Sequence, residues 1–147
     1  MKAKVCKALG VTYTLAGLLA IGVGVVHFVM AQHLRDMLAG WVEGPNKDLV
    51  LAVFEINHTG SGVFVILLGA ILVLCGMRGM RRGKRWAAEV SLVCGLGLEA
   101  LAAWLWIVVP PMFLEALPFR AALLGLAAVG LLLVLPAVVY WKDLEPD

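Results

Sequence analysis

Four ionisable side chains that could do chemistry lie inside long apolar segments of this chain. His27 is in the first segment, Glu55 and His58 stand one helical turn apart in the second, and Glu99 is in the third. Asn57 stands next to His58. Ionisable groups are unfavourable in lipid and usually face a partner, a cavity or the interior of a helix bundle. The sequence therefore predicts a buried polar site built from these residues.

Depth and helical face both place these groups together. At 1.5 Å of rise per residue, all four ionisable groups fall within roughly 10 Å of the membrane midplane, on its outer side. Each also shares a helical face with small residues, which let membrane helices approach closely. The stripe is Gly10, Tyr13, Gly17, Ala20, Gly24 and His27 on the first segment, and Glu55, His58, Gly62, Val65, Gly69, Leu72 and Gly76 on the second. We expect each polar residue to face a helix contact.

Two kinds of function need no metal ion or prosthetic group. Buried His, Glu and Asn can tie helices together by hydrogen bonds, as in an accessory subunit of a larger membrane complex or in a homo-oligomer. Alternatively, the groups line a cavity that binds a lipophilic molecule, with Asn57 close by. If that cavity is an active site, Glu55 and His58 are the candidate general acid and base for a lipid-like substrate, and Glu99 is the complementary acid.

A metal or haem site is a further interpretation. His27, Glu55, His58 and Glu99 are ligand types that hold zinc. Glu55 and His58 also have the Glu-x-x-His spacing of di-iron bundle proteins, but no second copy follows at Glu99, so a full di-iron site is not expected. His27 and His58 could instead be the two axial ligands of a b-type haem, with Asn57 beside it.

Composition places these residues in an integral membrane protein. The 147 residues are 63% hydrophobic and 15% charged, whereas soluble domains are roughly half apolar and a quarter charged. Apolar segments cover about residues 9–31, 49–76, 86–109 and 120–141, and each has the roughly 20 residues that a membrane-spanning helix needs. The first is too long for the apolar core of a signal peptide. We predict one domain, an all-α antiparallel bundle of four transmembrane helices.

Lysine and arginine positions predict the orientation. They concentrate in the N-terminal tail and in the loop after the second segment, as is typical of cytoplasmic regions. These residues are Lys2, Lys4, Lys7, Arg78, Arg81, Arg82, Lys84 and Arg85. Both termini are therefore expected in the cytoplasm, and the composition is compatible with a bacterial inner membrane. The net charge of +2 gives no indication of nucleic-acid binding.

The cysteines and the first outer loop give two further expectations. Cys6, Cys75 and Cys94 lie at or near the cytoplasmic side, where disulfides are rare. In the loop, the apolar residues Leu34, Met37, Leu38 and Trp41 repeat at helical spacing, with Arg35 and Asp36 opposite. This pattern predicts a separate short helix on the membrane surface. Asn46 or Asp48 is then expected to cap the second membrane helix.

Two short motifs carry a family resemblance. Gly24-Val25-Val26-His27 ends the Gly-rich first segment, and Asn57-His58-Thr59-Gly60-Ser61-Gly62 lies in the second. They resemble Gly-x-x-His and, in compressed form, Asn-x-x-His-x-x-Gly of small bacterial four-helix membrane proteins of the DoxX-like kind. The resemblance covers the first two helices. It implies the four-helix fold and a site bearing His and Asn, and it implies no particular activity.

Overall fold

The computed structural model describes residues 3–108, 111–115 and 117–145, and they form helices. The helices are α1 at Ala3–Ala39, α2 at Lys47–Leu74, α3 at Arg85–Val108, α4 at Pro111–Glu115 and α5 at Leu117–Val139. A π-helical turn at Cys75–Gly79 and a 3₁₀ turn at Met80–Arg82 follow α2, and another 3₁₀ turn at Trp141–Asp143 follows α5. An isolated β-bridge joins Lys84 to Glu145. The predicted all-α class is confirmed.

Three helical segments in the described part of the chain are long and apolar enough to cross a membrane. They are Ala3–Ala39, Lys47–Arg82 and Arg85–Val108. A shorter apolar helical stretch covers Leu123–Val139. These helices support the predicted class of integral membrane protein. The predicted end of the third span, Val109, lies outside the described residues.

Helix α1 continues beyond its predicted end, so the separate surface helix is not formed. Residues 34–39 belong to α1, and the chain leaves the helix at Gly40, whose N–H donates to the carbonyl of Met37 at 3.2 Å. The chain between Ala31 and Gly40 contains no Gly or Pro, the two residues least favourable inside a helix. The helical spacing of this stretch was correctly interpreted, but the prediction of an independent element was wrong.

The ends of α2 follow from turn and capping residues. Gly44 adopts φ 106°, a conformation that glycine accepts without strain. The carbonyl of Asn46 accepts the N–H of Val50 at 3.0 Å, which puts Asn46 at the N-cap position. After the π and 3₁₀ turns, Gly83 at φ 69° ends the helical run in the left-handed conformation.

The chain divides into two compact units. One consists of the residues up to Thr14 together with those from Leu74 onward, and the other is Leu15–Val73. In the first unit α3 packs along α5. A Cβ atom added at Gly95 would lie 2.8 Å from the carbonyl oxygen of Gly130, so the two backbones touch there.

The C-terminal segment of the first unit closes onto the loop before α3. The N–H of Glu145 donates to the carbonyl of Gly83 at 2.9 Å, and the N–H of Arg85 donates to the carbonyl of Glu145 at 3.1 Å. Lys84 Nζ lies 3.2 Å from Oε2 of Glu145. Leu144 is buried beside them. We refer to this contact between residues 83–85 and 144–145 as the C-terminal clasp.

Candidate functional site

Glycines bring α1 and α2 into close antiparallel contact within the unit Leu15–Val73. A Cβ atom added at Gly24 would lie 2.6 Å from the carbonyl oxygen of Gly62, and one added at Gly17 would lie 2.5 Å from that of Gly69. Distances this short leave room only for hydrogen. The backbones therefore touch at two levels, two helical turns apart, and the small-residue stripes of both helices form the contact.

This helix contact places His27 beside His58. Their ring centroids are 4.6 Å apart and the ring planes differ by 23°, so the imidazoles stack. His27 comes three residues after Gly24, and His58 comes four before Gly62. Both therefore project one turn beyond the same glycine crossing. Phe54 extends the stack, with its ring 5.5 Å from that of His58 and nearly parallel to it.

Glu55 does not join the histidines, because it pairs with Arg35 near the end of α1. Its Oε2 lies 3.1 Å from Nε of Arg35. The contact lacks the alignment of a good hydrogen bond. The two side chains are 40% and 42% exposed, so this ion pair is only partly shielded from the surroundings.

Arg35 was not among the predicted site residues, although the sequence holds a signal for it. Arg35 follows His27 by eight residues and Ala31 by four, which puts all three on one face of a continuous helix. Ala31 is only 3% exposed, so this face continues toward α2. Because the membrane helix was expected to end at Ala31, Arg35 was placed in a separate surface helix. Its pairing with Glu55 was therefore not predicted.

Glu99 lies in the other unit, where its carboxyl group packs on α5. A Cβ atom added at Gly130 would lie 2.5 Å from Oε1 of Glu99 and 3.0 Å from its Cδ. That oxygen is buried and has no hydrogen-bond partner among the described residues. The missing side chain of Gly130 thus gives the carboxyl group its space, and Glu99 belongs to the contact between α3 and α5.

The predicted burial of these groups is not found. His27, Glu55, His58 and Glu99 are half-buried and Asn57 is exposed. In their unit, the histidines and Glu55 stand at the edge of a contact between two helices, which covers one side of each group and leaves the other side open.

The geometry bears directly on the metal and haem interpretations. In residues 3–108, 111–115 and 117–145, no three His, Cys, Asp or Glu side chains converge on a point that could hold a metal ion. Axial haem ligands must approach the iron from opposite faces of the macrocycle. Rings stacked at 4.6 Å leave no room for a macrocycle between them. The arrangement of His27 and His58 fits neither group.

The acid–base interpretation needs a carboxylate in contact with an imidazole. No hydrogen bond joins Glu55 to His58 in the part of the chain that the structure describes, and the Glu55 carboxylate is engaged by Arg35 instead. The pairing that would make Glu55 and His58 a catalytic couple is therefore not formed in this arrangement.

An apolar groove runs along α1 and ends at His27. Its volume is about 560 Å³, within the range of small-molecule sites. It is lined by Leu15, Leu18, Leu19, Gly22, Val23, Val26 and His27. Gly22 opens the middle of the groove, since a Cβ atom added there would meet nothing within 4 Å. The groove is thus an open apolar surface formed by exposed side chains of α1 alone, with His27 as its polar end.

A second polar cluster lies in the core of the other unit. The buried hydroxyl of Tyr13 donates to the carbonyl of Leu133 at 2.9 Å. Ser91 is fully buried and interacts with Tyr13 and with the thiol of Cys75, at a geometry looser than a standard hydrogen bond. Cys75 is a free thiol, like Cys6 and Cys94. A lone serine in an apolar helix gives no periodic signal, so this cluster was missed.

Comparisons of the chain with protein-family models, with curated proteins and with solved structures gave no match. The resemblance to DoxX-like proteins stays a prediction.

Proposed function

We propose that the chain is a four-helix antiparallel membrane protein that binds a lipophilic molecule in the α1 groove, with its polar group at His27. Three candidate spans and the shorter apolar helix at Leu123–Val139 support the number of membrane helices. The cations near the N terminus and before α3 support cytoplasmic termini, and the composition is compatible with a bacterial inner membrane.

The observation that carries this proposal is the position of His27 at the end of an apolar groove. An alkyl or isoprenoid chain gains free energy by contact with the aliphatic walls of such a groove. An imidazole can donate one hydrogen bond and accept another. His27 therefore offers a polar partner where the apolar walls end, and its stacking on His58 holds the ring in place.

Binding is favoured over catalysis because the acid–base partner is occupied elsewhere. Glu55 pairs with Arg35, and the stacked imidazoles have no carboxylate hydrogen-bonded to them among the described residues. The ion pair instead fixes the outer part of α1 against α2. This holds the helix that carries the groove.

Photolabelling tests occupancy of the groove. A fatty acid with a diazirine in its acyl chain, added to the purified protein in vesicles, should label residues 15–27 on illumination, as read by peptide mass spectrometry. Gly22→Phe fills the groove and should reduce this labelling by more than about tenfold, because excluding two methylene groups costs about 1.6 kcal/mol of binding. Gly60→Phe is the matched control, since Gly60 also has open space around it but lies on α2. Equal labelling of the Gly22→Phe variant and the parent would refute the proposal.

A second pair of variants tests the polar end. His27→Phe keeps an aromatic ring for stacking but removes both nitrogens, so it should weaken binding of the fatty acid by about 2- to 12-fold, the loss of one hydrogen bond. His33→Phe, at an exposed histidine of the same helix, should leave binding unchanged. If both variants bind like the parent, His27 has no role in recognising the head group.

A further inference from the structure

The first turns of α1 and the loop before α3 pack together in the first unit. A Cβ atom added at Gly83 would lie 3.4 Å from Sγ of Cys6. The aliphatic stem of Arg81 lies directly against Gly10, where any side chain would displace it. Two segments that are far apart in sequence thus meet along about one turn of α1.

This packing gathers cations that have no carboxylate partner among the described residues. Lys7 stands in α1 between Cys6 and Gly10, and the loop carries the set Arg78, Arg81 and Arg82. All four side chains are exposed and form no ion pair with a described carboxylate. We refer to these four residues as the basic face.

Two neighbouring cations, Lys84 and Arg85, have partners within the chain. Lys84 pairs with Glu145 in the C-terminal clasp at 3.2 Å. The guanidinium of Arg85 lies over the Trp141 ring, 5.5 Å from its centroid, in a cation–π contact. The fold therefore gives each of these two cations a partner within the chain, whereas the basic face has no carboxylate partner among the described residues.

We infer that the basic face binds the phosphate-bearing head group of an anionic phospholipid. The face stands near the beginning of one candidate membrane span, Ala3–Ala39, and near the end of another, Lys47–Arg82, and the ends of membrane spans lie at the level of the head groups. Arginine guanidinium groups bind phosphate oxygens in pairs of parallel hydrogen bonds. Because Arg81 is anchored by its stem on Gly10, its head loses little further freedom on binding.

This binding goes beyond what membrane orientation requires. Orientation depends on how many cations flank each span, and the same residues would orient the chain if they were scattered. Because Cys6 packs on Gly83 and Arg81 packs on Gly10, the two segments that carry these cations lie side by side. Convergent, unpaired cations allow one head group to be contacted from both segments.

Native mass spectrometry in neutral detergent tests the inference on the full chain. Phosphatidylglycerol, and a two-phosphate cardiolipin, should bind more tightly than phosphatidylcholine. Arg81→Gln with Arg82→Gln should weaken phosphatidylglycerol binding by about 30-fold, at roughly a factor of five per cation. Lys47→Gln with Arg120→Gln removes the same charge from residues outside the basic face and is the matched control.

The outcomes distinguish a specific binding site from non-specific electrostatic attraction. Affinity in Arg81→Lys with Arg82→Lys that lies between the parent and the glutamine pair, at unchanged melting temperature in all variants, would support the inference, because lysine keeps the charge but not the paired hydrogen bonds. Equal weakening by the control pair would show that net charge alone attracts the lipid and would overturn it. Displacement of the lipid by millimolar inorganic phosphate would also overturn it, because the face would then recognise free phosphate instead of a lipid.

Discussion

At the scale of single residues, the ion pair with Arg35 determines the role of Glu55. A carboxylate in a membrane helix invites a catalytic interpretation, but an arginine 3.1 Å away gives it a structural partner. Because the pair bridges α1 and α2, it joins the two helices that also carry His27 and His58.

We expect the Arg35–Glu55 pair to contribute modestly to stability. Both side chains are about two-fifths exposed, and such pairs typically contribute about 0.2–1 kcal/mol. A double-mutant cycle with Arg35→Ala and Glu55→Gln should give a coupling energy in this range, measured by denaturant titration in detergent micelles. The same cycle with Arg35→Ala and Asp36→Asn, whose groups are 4.0 Å apart, should give less. Coupling near zero for both cycles would show that the pair does not hold the helices.

The hydroxyl of Tyr13 should matter more than that of Ser91. Tyr13→Phe removes a buried hydrogen bond to Leu133 and should lower the free energy of unfolding by about 0.5–1.5 kcal/mol. Ser91→Ala removes a hydroxyl without a well-formed hydrogen bond, so a smaller loss is expected. Tyr140→Phe, at a half-buried tyrosine, is the control. A larger loss for Ser91→Ala than for Tyr13→Phe would contradict this order.

At the scale of helices, glycines set how closely α1 and α2 approach. Gly24→Ala should lower the free energy of unfolding by about 1–3 kcal/mol, the typical effect of overpacking, because the new Cβ would meet the Gly62 carbonyl. Gly22→Ala and Gly60→Ala add the same methyl group into open space. These controls should be neutral or stabilising, since alanine favours helix by up to about 1 kcal/mol.

Stability of the three alanine variants can be compared by unfolding in mixed micelles. A Gly24→Ala protein as stable as the Gly22→Ala protein would show that the helices separate without loss, and the tight crossing would then not be needed to place His27 against His58.

The sequence predicted helices and their contact faces better than helix ends. Glycine spacing identified the faces of α1 and α2 because small residues have a direct packing meaning in membranes. The end of α1 was missed since polar residues after Ala31 suggested a boundary, although no helix breaker is present. The π-helical turn at Cys75–Gly79, in which Cys75, Gly76 and Gly79 are buried, has no signature in its sequence.

At the scale of the whole molecule, charge asymmetry predicts which parts of the chain face each side of the membrane. With the native cysteines replaced, Lys4→Cys and Arg82→Cys should be protected from a membrane-impermeant maleimide added to intact cells. Trp41→Cys should be labelled, since Trp41 is 84% exposed in the turn after α1. Labelling in the reverse pattern would overturn the predicted orientation.

Contacts between segments that are distant in sequence could not be predicted from the sequence. Hydropathy gave the number of apolar segments, since span length and composition are local properties. The pairing of Glu55 with Arg35 and the packing of Glu99 on Gly130 depend on which helices meet and at what height. Helical periodicity locates a face on each helix, but it does not identify the side chain opposite.

The C-terminal clasp has a consequence for the order of events during synthesis. Lys84 and Glu145 are separated by 61 residues, so at about 5–20 residues per second the ribosome adds the partner roughly 3–12 seconds after the lysine. Throughout that interval Lys84 carries an uncompensated charge, together with Arg78, Arg81 and Arg82. All of these cations are therefore present before Glu145 is made, and the clasp pairs Lys84 with a carboxylate only afterwards.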